Sequence, residues 1–325
     1  PLMIGMWQIA PALACGCTLI VKPAEITPLS ALRVAELALQ AGVPPGVFNV
    51  VTGKGSVVGN AIVAHPGIDK VTFTGSPGVG RGIMQGAAAN FKRVTLELGG
   101  KSANVIFADA NIDAASRAPA SGIFCNAGQV CSAGSRILAQ RQVYDEVVER
   151  LAARARAIRV GDPAAPDTTM GPLVSAAQMK TVLDYVDIGN KEGASAVTGG
   201  KRIGERGFFV EPMVFANVEH EMRISQEEIF GPVASVIPFD DEADAVRIAN
   251  GTAFSLAAGV WSADIARVHK VAGELRAGTV WINTYGYTDV RLPWGGAGDS
   301  GLGREHGDAA IENFTEPKAI WLSLR

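Results

Sequence analysis

The chain holds only four cysteines in 325 residues, Cys15, Cys17, Cys125 and Cys131. That is too few to staple a fold of this length, so reduced thiols in a cytoplasmic setting are the expectation. Four histidines (His65, His220, His269 and His306) are scattered, and neither they nor the cysteines follow a zinc-ligand spacing, so no metal is expected. No apolar run approaches the ~20 residues that a bilayer span needs. No basic stretch leads into an apolar core as in a secretory leader. A charge excess is missing too: 29 basic against 32 acidic side chains leave a net charge of -3. Neither nucleic acid nor an anionic membrane has an electrostatic reason to bind such a chain. The sequence also lacks an initiator methionine: it opens at Pro1 and runs straight into a core-like segment, where natural termini are more often polar. The expectation is a fragment of a longer protein.

What is present is an ordinary globular composition, 48% hydrophobic and 19% charged, long enough for two domains with a core each. Short apolar runs at 17–22, 47–51, 70–74 and 94–98 alternate with helix-forming stretches at 28–41, 56–64 and 79–89. Strand and helix in turn, with short connections, predict a doubly wound parallel sheet. After Gly99-Gly100 the alternation resumes, with strands at 104–107, 136–139 and 281–283 and helices at 111–125 and 142–158, so a second α/β domain begins near residue 100. Residues 319–324 (AIWLSL) read as an exposed final strand, whose backbone groups invite pairing with another subunit. No internal repeat or low-complexity segment interrupts this.

Five constellations carry candidate chemistry. Gly75-Ser76-Pro77-Gly78-Val79-Gly80 joins a strand to a helix, where glycines admit a pyrophosphate to the unpaired N–H groups of a helix start. Its spacing is not GxGxxG, and taken alone a plain tight strand-to-helix turn explains it better than a phosphate site. Lys22 and Glu25 follow the first strand, on the edge where open α/β sheets bind ligands. A carboxylate there accepts ribose hydroxyls and repels a 2′-phosphate; the alternative is a solvated ion pair. Glu97, between Leu96 and Leu98, sits in an apolar strand, where desolvation raises a carboxyl toward the range of a general base. The alternative is an exposed edge strand.

Cys131 lies in the small-residue loop GQVCSAGSR, open to substrate and with its own backbone N–H able to face an oxyanion. An ordinary thiol is only ~3% ionised at neutral pH, so a nucleophile needs help, and most lone cysteines are small core residues instead. Cys15, Cys17 and, for the most part, Cys125 keep that second reading. Glu227-Glu228-Ile229-Phe230-Gly231-Pro232 joins acids to an aromatic ring and a Gly-Pro turn, a pattern able to hold a ribose and limit a nicotinamide.

In this order and spacing, FTGS, LELGGK, GQVCSAGSR and EEIFGP resemble the NAD(P)-dependent aldehyde dehydrogenase superfamily along the whole chain. The resemblance implies an aldehyde dehydrogenase-like α/β fold with two doubly wound, Rossmann-like domains and a C-terminal oligomerisation strand. It places the later part of the NAD-binding domain at 1–99, the catalytic domain at 100–299, and a return to the cofactor domain with the oligomerisation strand at 300–325. It makes Cys131 the nucleophile and Glu97 the general base. Cofactor contacts fall on Lys22, Glu25, Gly75, Ser76, Val79, Leu98, Glu228 and Phe230, with NAD favoured over NADP. Trp7, Cys125, Tyr287 and Trp294 fall where members line the substrate tunnel, and Asn283 with 293–305 resembles the late signature. A homodimer or homotetramer acting on a small aldehyde follows.

The implied reaction runs through a Cys131 thiohemiacetal and a thioester that Glu97 helps hydrolyse. The glutamate argues against the branch that passes its acyl group to coenzyme A. Two departures stand out. The Pro-Trp-Asn-aromatic motif expected before Pro1 is absent, and with it an oxyanion donor whose loss typically costs roughly 10²–10³ in rate. Low activity of this chain alone is therefore expected. Gly298-Asp299 stands where many members carry a lysine. A catalytically silent cofactor-binding member and a cysteine hydrolase remain the competing readings, the latter without a histidine in a fitting local context.

Overall fold

The computed structural model describes residues 2–324. The chain divides into two compact units. The first runs to Leu98 and includes Thr288–Gly295 and the chain from Gly301 on; the second is Gly99–Tyr287 with Gly296–Ser300.

The first unit opens on α1 (Leu2–Ala14), β1 (Leu19–Val21), α2 (Leu29–Gln40) and β2 (Phe48–Val50). There follow α3 (Asn60–Ala64), β3 (Lys70–Thr74), α4 (Pro77–Ala88) and β4 (Arg93–Glu97). β1 and β2 pair in parallel, as do β3 and β4. Three of the four strands end at motif residues: Lys22 and Glu25 follow β1, Gly75 and Ser76 follow β3, and Glu97 stands at the end of β4.

The second unit continues with β5 (Ala103–Ile106), α5 (Ile112–Phe124), β6 (Arg136–Gln140), α6 (Tyr144–Arg156) and α7 (Ala176–Lys191). Next come β7 (Ser195–Thr198), β8 (Arg202–Ile203), β9 (Phe209–Val210), β10 (Met213–Ala216) and α8 (Arg223–Gln226). It closes with β11 (Val233–Phe239), α9 (Glu242–Asn250), β12 (Ala257–Trp261), α10 (Ile265–Glu274) and β13 (Thr279–Ile282). A seven-stranded sheet has the order β13-β12-β5-β6-β11-β10-β7, parallel except for β7 on the edge. From β5 the chain adds β6 on one side, passes to the edge for β7, works back through β10 to β11 beside β6, and then crosses to the other side of β5 for β12 and β13, as in doubly wound sheets. Val105, Ile137, Leu138 and Val236 are fully buried, as strands covered on both faces require.

The chain ends in the first unit with β14 (Gly301–Leu302) and α11 (Gly307–Glu312). β14 pairs antiparallel with β4 on the side away from β3, so β4 is the centre of a three-stranded sheet. Residues 319–324, expected as a final strand, join no sheet, and Trp321 is 96% exposed. A strand exists only against a neighbour, and within one copy no edge takes this segment.

Candidate active site

In the second unit β5, β6 and β11 lie side by side, so the segments that enter them are brought together: Gly99–Ser102 before β5, the Cys131 loop before β6, Glu228–Pro232 before β11. The motif residues of this unit thus gather at the amino ends of the strands, whereas those of the first unit stand at carboxyl ends.

The Cys131 loop is bent by its backbone. Three residues in a row, Asn126, Ala127 and Gly128, have φ of 50°, 53° and 73°. Asparagine and glycine tolerate this left-handed region; a buried alanine there costs roughly 1 kcal/mol or more. Gly128 has a second reason to be glycine, since a methyl group would collide with the Gly231 carbonyl. The Asn126 and Gln129 side chains each donate to the other's carbonyl at 3.0 Å, and the Gln129 amide oxygen accepts from Val174 N–H at 2.9 Å. Cys131 follows, half-buried and in no disulfide. Its carbonyl packs against Gly100 so closely that only glycine fits there.

Sequence reasoning missed Tyr285. Its buried hydroxyl donates to the Ser132 carbonyl at 2.7 Å, and burial pushes the phenol well up, so it stays a donor. Nothing local marks it, because the contact spans 153 residues. Glu228 accepts from Gly100 N–H at 3.1 Å; burial pushes its carboxyl up, while that N–H and Lys101 hold it down. Phe230 is left-handed at φ 54° and partly exposed, and with Gly100, Gly128, Val130 and Glu228 it lines a small cavity of about 10 Å³. Cys125 is exposed, and Tyr287 is 75% exposed.

In the first unit Glu97 is 2% exposed, which rules out the edge-strand alternative. Its carboxyl is pushed up to about 8, first by burial and then by Glu305, while Arg304 and the Trp294 indole favour the ionised form. Neither oxygen has a hydrogen-bond partner at ordinary geometry. Glu305 was also missed. Buried and itself pushed up, it accepts from Gln8 Nε2 at 2.9 Å and reaches the site only because β14 folds back on β4. Trp7 and Trp294 meet edge-on at 6.0 Å, and Trp7 also meets the His306 ring at 4.3 Å.

Lys22 and Glu25 do not form the solvated ion pair. Lys22 Nζ donates to the carbonyls of Pro23 (2.8 Å) and Gly53 (3.2 Å), and Glu25 Oε1 accepts from Gly55 N–H at 2.8 Å. Ser76 is the N-cap of α4 in extended conformation, its hydroxyl making no cap hydrogen bond, and Pro77 opens the helix. Gly75 N–H donates to the Glu97 carbonyl, and Leu98 packs on Gly80 so tightly that a methyl there would clash. At Gly78, by contrast, a side chain would meet nothing within 4 Å, leaving the first turn of α4 open. Val79 beside it is 52% exposed.

These features suit a dinucleotide. In the first unit an open, uncapped helix start fits a pyrophosphate and a backbone-seated carboxylate fits ribose hydroxyls. In the second, Glu228 offers a half-buried carboxylate beside an exposed aromatic ring. No group of three or more potential metal ligands occurs among the described residues, and no described helix is long and apolar enough to cross a membrane.

The profile of the aldehyde dehydrogenase family matches residues 1–320. The chain belongs to that family. It is 49% identical over its full length to a putative aldehyde dehydrogenase, DhaS, of Bacillus subtilis, and 46% identical to a betaine aldehyde dehydrogenase of Cereibacter sphaeroides. It spans 66% and 67% of those proteins. The NAD+ complex of an aldehyde dehydrogenase from Bacillus cereus superposes with a TM-score of 0.98 at 48% identity, covering all of this chain and 66% of the other. The α/β fold implied by LELGGK and its companion motifs is therefore the family's fold, over about two thirds of its relatives' length.

Proposed function

We propose that the protein oxidises an aldehyde to the carboxylic acid with NAD+ as hydride acceptor, Cys131 acting as nucleophile and Glu97 as general base. One observation carries the reading: a chain of the aldehyde dehydrogenase family holds Glu97 at 2% exposure, where burial pushes its carboxyl up to about 8. The Cys131 thiolate adds to the aldehyde carbon, forming an S–C bond and moving the carbonyl π electrons onto oxygen. When bound, the oxidised nicotinamide supplies the acceptor for the hydride that leaves this carbon. A thioester then remains on Cys131. Glu97 takes a proton from water as the water oxygen attacks the thioester carbon, and the C–S bond breaks to return the thiolate. At pH 7 a group titrating at about 8 is ionised in roughly a tenth of molecules, enough for a base whose strength matches the step.

Lys22 and Glu25 would hold the adenosine ribose, and Gly75, Ser76, Val79 and the start of α4 the pyrophosphate, with Leu98 beneath. Glu228 and Phe230 would hold the nicotinamide side. The Glu25 carboxylate disfavours a 2′-phosphate, hence NAD over NADP. Residues 1–99 and 300–325 are assigned to the cofactor domain and 100–299 to the catalytic domain. Trp7, Tyr287 and Trp294, with Cys125, favour an apolar or aromatic aldehyde. A cytoplasmic homodimer or homotetramer, its subunits pairing through 319–324, completes the proposal.

The test is NADH absorbance with aliphatic, aromatic and amino aldehydes, on the wild type and on Cys131→Ala. Turnover only in the wild type supports the reading. NADH formation that survives in Cys131→Ala overturns it, and so does ester hydrolysis without NADH. NAD+ binding with no turnover of any aldehyde points to the silent member.

A further inference from the structure

Cys131 stands in a tight turn whose first carbonyl, that of Val130, accepts from Ala133 N–H at 3.0 Å. The next two carbonyls are fixed as well. That of Cys131 packs on Gly100, and that of Ser132 accepts from the Tyr285 hydroxyl at 2.7 Å, a contact made from 153 residues away. The tyrosine ring occupies a slot cleared for it. Gly122 on α5, Gly134 in the loop and Gly259 on β12 border the ring, and a methyl group on Gly134 or Gly259 would come 3.0 Å or 2.8 Å from it. Trp281 closes the slot, its ring centroid 4.5 Å from that of Tyr285. A ring so confined cannot follow the loop if the loop moves, so the hydroxyl is a fixed reference point for the Ser132 carbonyl. Burial first, and then charge on Cys131, push the phenol well up, and it keeps the proton it donates.

We infer that Tyr285 is a positioning residue for the nucleophile: its hydroxyl pins the Ser132 carbonyl and so holds the turn that aims the Cys131 thiol at the aldehyde carbon. The inference rests on the proposed role of Cys131. Without the hydroxyl the Ser132 carbonyl faces the edge of a buried ring that offers it nothing, and leaving such an acceptor unpaired is costly. Its peptide then turns toward water to recover a donor. That rotation changes the Ser132 dihedrals, and the Cys131 side chain one residue back moves with them. A displacement of ~1 Å at a reacting atom costs up to about 100-fold in rate.

The test is a single turnover on the full chain, with enzyme in excess and NAD+ saturating, read as the rate of NADH formation. The substrate is acetaldehyde, benzaldehyde or aminoacetaldehyde, whichever the wild type oxidises fastest. Tyr285→Phe keeps the ring in its slot and removes only the donor. Tyr144→Phe is the control for lost stability alone: its buried hydroxyl accepts from Asn217 N–H at 2.6 Å and donates to the Val236 carbonyl at 3.3 Å, and neither partner belongs to the turn. Tyr285→Phe is expected to slow the single turnover roughly 10–100-fold, with the NAD+ dissociation constant unchanged by calorimetry. Tyr144→Phe should leave the rate at its wild-type value. A Tyr285→Phe rate within about threefold of the wild type overturns the inference, and so does equal slowing in the two variants or a weakened NAD+ affinity in Tyr285→Phe. A Tyr285→Phe chain that does not fold assigns the residue to the scaffold and overturns it too. A wild type that forms no NADH from any of the three aldehydes removes the reading of Cys131 and this inference with it. A wild type that turns over no faster than Tyr285→Phe removes only the role of Tyr285.

Discussion

Replacing Glu97 by glutamine should stabilise the protein, increasingly so as pH rises from about 4.5 to about 8. The buried carboxyl titrates at about 8 instead of 4.5. Below 4.5 it is protonated in folded and unfolded chains alike and has no linkage effect. Between 4.5 and about 8 the unfolded chain ionises while the folded one holds its proton, so stability falls as pH rises. Above about 8 the full penalty stands. At ~1.36 kcal/mol per tenfold change in affinity, the interval corresponds to roughly 5 kcal/mol as an upper bound, and local relaxation will reduce it. Glutamine has nearly the same shape and never ionises. Glu305 is also pushed up but is present in both proteins, so to first order it cancels.

The assay is thermal unfolding of wild type and Glu97→Gln from pH 5 to pH 9. Melting temperatures should coincide near pH 5 and separate steadily above it, the variant ending several degrees higher, since ~1 kcal/mol shifts a chain of this size by roughly 2–4 °C at most. A difference independent of pH, or a variant less stable at pH 9, would show that the carboxyl is not held protonated by burial. The same variant should stall after one turnover with the acyl group retained on Cys131, visible as a mass increase. A catalytic base would thereby be a measurable burden on the fold.

Further outcomes follow from the same structure. Thioester hydrolysis, followed after a single-turnover burst, should accelerate with pH and level off above about 8, where Glu97 is ionised; a flat profile from pH 6 to pH 9 would exclude it as the base. Gly128→Ala forces a methyl onto the Gly231 carbonyl at φ 73° and should cost roughly 2–4 kcal/mol in chemical denaturation, against less than ~1 kcal/mol for a change at open Gly78. Glu25→Gln keeps an acceptor for Gly55 N–H but loses the charge, so kcat/KM with NADP+ relative to NAD+ should rise about tenfold; no change would remove Glu25 from the ribose site. Tyr285→Phe leaves the Ser132 carbonyl without its donor and should lower stability by roughly 1–2 kcal/mol, read from the denaturation midpoint.

Motifs whose residues are neighbours in sequence were legible as candidate chemistry, because a strand end or a helix start expresses itself within a few positions. Glu97 is such a case: two flanking leucines announce burial, and β4 turns out to be a central strand. Glu305 and Tyr285 were not legible, since each reaches its partner through a chain reversal hundreds of residues or most of a domain away. Strand order was equally hidden. Alternation predicts parallel strands, but only packing decides that β12 returns to the far side of β5, or that the first unit holds sheets of two and three strands. The left-handed alanine at 127 carries no signature at all, because its conformation is imposed by neighbours.

That alanine changes how the loop ahead of Cys131 will respond to engineering. Substitution tables rank replacements by size and polarity, yet at positions 126–128 the governing variable is a dihedral angle. Glycine at 127 should be accepted, its greater cost in the unfolded chain offset by relief of the folded one, while a β-branched residue that looks equally small should not. A library randomised across these three positions would therefore sort by backbone handedness before it sorts by chemistry. Its survivors would measure how much torsion the approach to the nucleophile can lose before the thiol drifts.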